Sequence, residues 1–461
     1  MERGAGGSLC APRFTVYIAC HDYGRFLGEA IESVLRQTVD DWELIVIDDG
    51  STDDTPTVMN LYRGHPAIAL HRTERIGLPA VGNFALAQAR GRYVIRLDGD
   101  DVFDENILLV LGNILDRRQD VALVFPDYFL VDAFGHVFAH ERRQRLYDSN
   151  HMVDLPPNGA CTLIRTAVLR EVGGYREDLG AQDGFDLWTK VASRYKCANV
   201  NLPLFYYRRH GANLTTDVSR IISARRQIKK DAVKDQLAAL RPVLAVIPCR
   251  RNFDFVPDLW KQMLGEHTLL ERDITVCLSS RLFDYVVVTC DNDAAAECLA
   301  RYDDPRLRFT LRAPQSTIRS SSVVPTLERI ARELDPTLSG VTVMRYIQSP
   351  FVTADTLEEA VCTLAISDAD SASAVEEIRS RVFRRSAHGL EALNMRGELS
   401  SDFDLLYRDS KTCIATRNRN LATGSLTGGS VASFIVSAAE CFFIDSEHSM
   451  RLANHMVNHV K

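Results

Sequence analysis

Trp42-Glu43-Leu44-Ile45-Val46-Ile47-Asp48-Asp49-Gly50-Ser51-Thr52-Asp53 decides how the first half of this chain folds. Its first six residues are mostly aliphatic and read as a buried strand. The strand runs straight into an acidic turn, where Gly50 allows a tight bend and close backbone approach. Upstream, Phe14-Thr15-Val16-Tyr17-Ile18-Ala19-Cys20 is a second β-branched and aromatic run, hence a strand. Between the two, residues 28–37 place Ala30, Ile31, Val34 and Leu35 at helical spacing. Downstream, 55–63 reads as a helix, 68–70 as a short strand, 78–89 as a helix, and Tyr93-Val94-Ile95-Arg96-Leu97 as a strand. This alternation predicts α/β architecture, with a mostly parallel sheet and helices on both faces.

Open α/β sheets bind ligands beyond the C-terminal ends of their strands. At the end of the second strand, Asp48 and Asp49 are placed to accept hydrogen bonds from a base or ribose. The same acidic turn serves equally as a cap for the next helix, and the turn alone does not choose. A later strand ends Arg96-Leu97-Asp98-Gly99-Asp100-Asp101. Carboxylates this crowded repel unless something positive joins them. Mg²⁺ or Mn²⁺ takes oxygen ligands and bridges carboxylates to phosphates, which suits this stretch; the bland alternative is a solvated acidic loop.

The whole chain sets bounds on these readings. Its 461 residues suggest two to four domains at roughly 100–200 residues each. With 54 Lys+Arg against 61 Asp+Glu, the net charge is −7, which argues against a dedicated nucleic-acid binder and a polybasic membrane-surface protein. Eleven cysteines (10, 20, 161, 197, 249, 277, 290, 298, 362, 413 and 441) form no C-x-x-C pair. Reduced thiols are the simplest reading. Met1-Glu2-Arg3-Gly4 lacks a signal peptide's apolar core, and the longest apolar stretch, 431–444, is broken by Ser433, Ser437 and Glu440. The expectation is a soluble cytoplasmic protein without a transmembrane segment, working at most at the inner face of the membrane.

Between 217 and 240 the pattern changes. Arg220, Arg225, Arg226, Lys229, Lys230 and Lys234 alternate with Ile221, Ile222, Ile228, Val233 and Leu237. This reads as an amphipathic linker helix with a solvated basic face, docked through its apolar stripe and closed by Pro242; the alternative is a membrane-surface or partner-binding helix. A second β-α series follows, with strands at Val243-Leu244-Ala245-Val246-Ile247-Pro248, 284–289 and 341–347, and helices at 294–302 and 354–366. The expected domains are 12–216, a linker over 217–242, and 243–461.

Taken in order, the motifs of the first series resemble the family 2 inverting glycosyltransferases of GT-A fold. The carriers are Cys20-His21-Asp22-Tyr23, then Ala30 to Thr38, the acidic turn 47–53, and Leu97-Asp98-Gly99-Asp100-Asp101. Gly77, Asn83, Gly173-Gly174-Tyr175, Gln182-Asp183-Gly184-Phe185-Asp186-Leu187-Trp188 and Tyr206-Tyr207-Arg208-Arg209-His210 complete them. The resemblance covers about residues 12–216. It implies Asp183 as catalytic base, and Asp48, Asp49, Asn83, Asp98 and Arg209 as donor-binding residues. It also implies Asp100 and His210 as ligands of Mn²⁺ or Mg²⁺. Where the family has Glu before the base, this chain has Gln182. Such an enzyme needs a carboxylate to deprotonate the acceptor hydroxyl, charge neutralisation on the leaving diphosphate, and in-line attack that inverts the sugar.

The second series resembles the cytidylyltransferases that activate sialic acid and related sugar acids as CMP derivatives. The carriers are Ala245 to Arg250, Leu282 to Asp291, Gln348-Ser349-Pro350, Asp368 to Ala372, and Phe443-Ile444-Asp445. It departs from them where the triphosphate loop should be: Arg250-Arg251-Asn252-Phe253-Asp254-Phe255-Val256-Pro257 keeps an arginine and loses the glycines and lysine. A late metal motif is reduced to Asp445. The resemblance therefore implies two tandem nucleotide-binding-type domains, the second with a degraded site at Arg250 and Asp445; Arg312 and Arg319 are further candidates to meet an anion.

The expected activity is a hexosyltransferase-type transfer from a nucleotide-sugar, most simply a UDP-sugar, to a glycan or glycolipid acceptor in surface polysaccharide biosynthesis. Two alternatives stand beside it: a bifunctional enzyme that also activates a sugar acid with CTP, and a non-catalytic nucleotide-sugar-binding scaffold. A homo-oligomer formed through the C-terminal domain is a further expectation.

Overall fold

All seven residues of Phe14–Cys20 are buried, because this strand (β1) lies inside a sheet and packs on both faces. Phe14, Val16, Ile18 and Cys20 point into one apolar core, and Tyr17 and Ala19 into another on the opposite side. The computed structural model describes residues 11–142, 159–211, 218–251, 255–313, 321–378, 380–387, 389–395 and 406–459. Of the residues singled out above, Met1 to Gly4, Cys10, Asn252, Phe253, Asp254 and Arg319 lie outside these, as does position 217. The chain divides into two units, Met1–Ile228 and Lys229–Lys461.

In the first unit β1 is followed by α1 (Gly24–Leu35), β2 (Trp42–Asp49), α2 (Thr55–Asn60), β3 (Ile68–Thr73), α3 (Leu78–Gln88) and β4 (Tyr93–Asp98). Then come β5 (Val102–Phe103), α4 (Ile107–Arg117), β6 (Val121–Val131), β7 (Val137–Glu141), β8 (Leu163–Arg165), α5 (Thr166–Glu171), α6 (Asp183–Ala192) and β9 (Lys196–Arg208). Among the described residues the sheet order is β3-β2-β1-β4-β8-β6-β9-β5, with β7 on β6. The four strands read from sequence are parallel, with Phe14 opposite both Trp42 and Tyr93. Beyond them the sheet is mixed rather than mostly parallel: β8 runs antiparallel to β4 and to β6. With three residues, β8 is too short for an alternation pattern to reveal it. Helix α1 begins at Gly24, four residues earlier than its apolar spacing indicates. A Cβ on Gly24 would lie 2.1 Å from Asp54 Oδ1, so the helix start fits against the 53–55 loop only without a side chain.

Helix α7 (Val218–Ala232) is shorter than the 217–240 span read from sequence; a separate 3₁₀ turn, Leu237–Leu240, follows it. Its basic face is not simply solvated. Lys229 is buried, and its Nζ donates to Glu359 Oε1 at 2.9 Å and Thr363 Oγ1 at 3.0 Å. Lys230 pairs with Glu358 at 2.6 Å.

The second unit continues with β10 (Val243–Pro248), a small hairpin of β11 (Met263–Leu264) and β12 (His267–Thr268), α8 (Leu269–Ser279), β13 (Tyr285–Cys290), α9 (Ala294–Leu299), β14 (Leu307–Leu311), α10 (Val324–Leu334) and β15 (Val341–Arg345). After these come α11 (Ala354–Ser367), β16 (Ser371–Ile378), a hairpin of β17 (Phe383–Ser386) and β18 (Gly389–Ala392), β19 (Leu406–Arg417), α12 (Asn418–Leu421), β20 (Val431–Ile435) and α13 (Glu447–His459). The main sheet has the order β14-β13-β10-β15-β19-β16-β20. The two units share a plan. In each, the third, second, first and fourth long strands run parallel in that order, and an antiparallel strand closes on the fourth. In both, strand order reverses between the first and fourth strands, where ligand crevices form in such sheets.

Candidate active site

In the first unit the reversal point lies between the C-terminal ends of β1 and β4. The loop after β1 is tied to the acidic turn after β2. His21 Nδ1 donates to the Asp49 carbonyl oxygen at 2.8 Å, and Asp22 accepts from the Thr52 backbone N–H at 2.7 Å. Asp48 is buried; it accepts from the Ser51 N–H at 2.8 Å and lies 3.5 Å from Arg72 Nε. Asp49 is also buried and is engaged on both oxygens. It accepts from Thr73 Oγ1 at 2.7 Å, the Ile76 N–H at 2.7 Å and the Gly77 N–H at 2.8 Å. The Asp49 carboxylate thus shapes the 73–77 loop that leads into α3, while the N-cap of α2, Asp54, makes no side-chain capping bond.

Asn83, on α3, acts as a clasp. Its Nδ2 donates to the Tyr175 carbonyl oxygen at 2.9 Å and to Glu177 Oε1 at 2.8 Å, and its Oδ1 accepts from the Tyr175 N–H at 2.9 Å. This ties the Gly173-Gly174-Tyr175 motif to α3, so two motifs distant in sequence become one wall.

The acidic cluster after β4 divides its work. Asp98 Oδ1 lies 2.9 Å from Arg96 Nε. Burial pushes the Asp98 carboxyl up to about 6; Arg96 pulls against this, and Asp100 and Asp183 add to it. Asp100 Oδ2 is 2.9 Å from His210 Nε2, and both side chains are nearly inaccessible to solvent. The His210 ring is held between Tyr23 and Phe26, with centroids 5.4 and 5.3 Å away. Asp101 accepts from the Arg208 N–H at 2.9 Å, and its Oδ2 is buried without a hydrogen-bond partner among the described residues. Burial first, then Asp100 and Asp98, drive the Asp101 carboxyl well above the ordinary range. Arg208 donates to the Asp100 carbonyl oxygen at 2.8 Å and pairs with Glu29 at 2.6 Å. Arg209 is exposed, with its guanidinium 5.4 Å from the Tyr207 ring centroid.

Asp183 opens α6 and points back to the sheet, where Arg96 Nη1 donates to its Oδ2. Arg96 is 6% exposed, so one buried guanidinium bridges Asp98 and Asp183. Sequence reasoning passed over Arg96, although an arginine inside the otherwise apolar run of β4 was a readable signal. Beneath it, the hydroxyls of Tyr17 and Tyr175 lie 3.0 Å apart in a buried pair. The structure therefore brings Asp98, Asp100, Asp183 and His210 to one end of the sheet, and gives Asp48, Asp49 and Asn83 internal partners in the walls.

In the second unit, Arg250 follows β10 and Arg312 follows β14. Burial holds the Arg312 guanidinium below its usual range, Asp291 opposes that shift and Arg250 adds to it. Asp445 shares hydrogen bonds with Ser449 Oγ, through its own N–H at 3.0 Å and its Oδ1 at 3.2 Å. The cap of α13 is made by Ser446, whose Oγ accepts from the Ser449 N–H at 3.2 Å, and Asp445 stands exposed just before it.

Residues 15–172 match Glycosyl transferase family 2. The matched stretch runs from β1 to just past α5, and Asp183 lies beyond it. The chain is 22% identical to chondroitin synthase of Escherichia coli over 203 residues, which is 44% of this chain and 30% of that protein. It is 28% identical to an uncharacterized glycosyltransferase of Rickettsia prowazekii (strain Madrid E) over 192 residues, 40% of this chain and 59% of the other. The chain thus spans less than two thirds of each of these relatives. Among solved structures, S. aureus TarS 1–349 in complex with UDP-GlcNAc has a TM-score of 0.40 at 18% identity, covering 48% of this chain and 66% of that one. The mannosyltransferase PcManGT from Pyrobaculum calidifontis, in complex with GDP-Man and Mn²⁺, has a TM-score of 0.38 at 20% identity, covering 49% and 65%. The enzyme class supported by the family match and the relatives is a glycosyltransferase.

Proposed function

We propose that the first unit transfers a sugar from a nucleotide diphosphate donor, most simply a UDP-sugar, to a hydroxyl of a glycan or glycolipid acceptor with inversion. The observation that carries this reading is the meeting of Asp98, Asp100, His210 and Asp183 at the reversal point of a sheet whose strands, β9 apart, lie in the family 2 segment. Asp183 is the base that takes the acceptor hydroxyl's proton, and Arg96 keeps its carboxylate turned toward the crevice. Asp48 and Asp49 order the loops on which the base and ribose rest, Asn83 holds the opposite wall, and Arg209 faces the donor from its exposed position.

The donor set fits a hard divalent cation, Mn²⁺ or Mg²⁺: Asp100 Oδ2 and His210 Nε2 stand together, beside the Asp98 and Asp101 carboxylates, whose crowding a cation would relieve. Among the described residues no group of three His, Cys, Asp or Glu side chains could hold an ion alone. The diphosphate and water would therefore complete the shell, as is usual for Mg²⁺. When bound, the ion supplies charge neutralisation for the departing diphosphate.

The second unit supports a subordinate reading. Its sheet order repeats the nucleotide-binding plan, and Arg250 and Arg312 lie near the end of that sheet. Asp445 is a single exposed carboxylate, bonded to the Ser449 hydroxyl, where the resembled family has a paired metal motif. We therefore read it as a cytidylyltransferase-like domain that keeps the fold without efficient nucleotidyl transfer. With that proposed acceptor class, we read the chain as serving surface polysaccharide biosynthesis.

A donor screen with mass analysis of the product tests the main reading. Asp183→Asn should retain donor binding and lose at least two decades of transfer, since general base catalysis is worth about 10²–10⁴-fold. Wild-type transfer by that variant would exclude Asp183 as the base.

A further inference from the structure

Asp183 is fastened from a second side, by a helix that lies outside the family 2 match. The residue before it, Gln182, has φ +64° and ψ 32°, the left-handed conformation, without being a glycine. That conformation costs an L-residue free energy and persists where the surroundings hold it, often at functional sites. Gln182 occupies the N-cap of α6, yet its side chain makes no capping hydrogen bond to the helix. Instead its Oε1 accepts from Arg225 Nε at 2.9 Å. The Arg225 guanidinium also lies 5.7 Å from the Phe185 ring centroid, one turn into α6. Three residues along α7, Ile228 packs with Leu179 and Phe185 in a small buried cluster of their own. On the other side of the loop, a Cβ built on Gly180 would come within 3.0 Å of Arg220 Nε. Leu179, Gly180, Gln182 and Phe185 therefore all rest against α7.

We propose that Arg225 is a positioning residue for Asp183: by holding the amide of the left-handed Gln182, it fixes the first turn of α6 and with it the carboxylate that meets Arg96. This rests on the reading of Asp183 as base. A carboxylate at Gln182 would add a negative charge next to that base, whereas a neutral amide accepts the same hydrogen bond without it. The arginine thus sets geometry, and the base keeps its partner Arg96. Donor contacts sit on other elements, so losing Arg225 should affect the chemical step and spare donor binding.

The test uses the full chain and the variants Arg225→Gln, Arg225→Lys and Asp183→Asn. Hydrogen exchange is followed by mass spectrometry on peptides over 179–188, with 93–98 as the reference. Turnover is measured on whichever of UDP-N-acetylglucosamine, UDP-glucose, UDP-galactose and GDP-mannose is consumed fastest with Mn²⁺. Arg225→Gln should speed exchange in 179–188 at least tenfold, leave 93–98 unchanged, and lower kcat at least tenfold with donor KM within twofold. Arg225→Lys, which keeps a donor over Phe185, should recover part of both. Unchanged exchange in 179–188 for Arg225→Gln overturns the proposal, as does a parallel loss at 93–98, which would mark general destabilisation. A wild-type kcat in Arg225→Gln beside an inactive Asp183→Asn sinks the positioning role alone. Full turnover by Asp183→Asn sinks the base reading and the positioning role with it.

Discussion

Arg96 is the residue on which the site's electrostatics turn. It is buried between Asp98 and Asp183, with Tyr17 and Tyr175 close by. Removing one partner of a buried pair leaves the other charge uncompensated, which costs far more than an exposed pair contributes. Arg96→Met should therefore destabilise the first unit by about 3 kcal/mol, read from urea unfolding, and should abolish transfer. Stability within 1 kcal/mol of wild type would contradict the bridging role. His210 tests the cation directly. His210→Ala should weaken Mn²⁺-dependent UDP binding at least tenfold by calorimetry, and EDTA should remove the difference between the variants. Equal Mn²⁺ dependence in both proteins would exclude His210 as a ligand.

At the scale of elements, the site depends on loops being pinned rather than on helices being strong. Asp49 holds the entry to α3, Asn83 holds the strand of backbone at Tyr175, and Arg225 holds the entry to α6. Gly82 on α3 shows how close this packing is. A Cβ there would lie 2.7 Å from Tyr175 Cδ2 and 3.2 Å from the Tyr17 hydroxyl. Alanine is the better helix former by about 1 kcal/mol, yet overpacking a buried ring costs about 1–3 kcal/mol. Gly82→Ala should therefore destabilise, with faster amide exchange across α3. A rise in melting temperature would show that Tyr175 can move aside freely.

At the scale of the whole molecule, one sheet plan is used twice, with different buried polar groups. The second unit keeps Arg345 and Asp273 paired at 2.9 Å, with side chains 1% and 3% exposed. Burial, opposed by Arg345, pushes the Asp273 carboxyl up to about 6 from its ordinary 3.8. The folded state then holds this proton more tightly than the unfolded chain does. Its stabilising contribution is complete below the ordinary value and is lost as pH rises through about 6. The stability of wild type relative to Asp273→Asn should thus increase by up to about 2 kcal/mol between pH 7 and pH 4. Exchange of β10 and β15 amides reports it, and a pH-independent difference would contradict the shift.

The sequence by itself determined the α/β class of both halves, the parallel strands around β1 and the placing of Asp48 and Asp98 to Asp101 at strand ends. These features are local: continuous apolar runs and helical spacing show within a few residues, and an acidic run after an apolar one marks a strand end directly. Only the tertiary structure decided the antiparallel half of the first sheet, where β8 is three residues long. It also decided what each acid does. Arg96 and Asp183 are 87 residues apart, Asp100 and His210 110, and Gln182 and Arg225 43. A hydrogen bond between such residues has no period and leaves no pattern in the chain. Its existence depends on which strands become neighbours, and that is fixed by packing the apolar faces rather than by the polar residues that meet as a result.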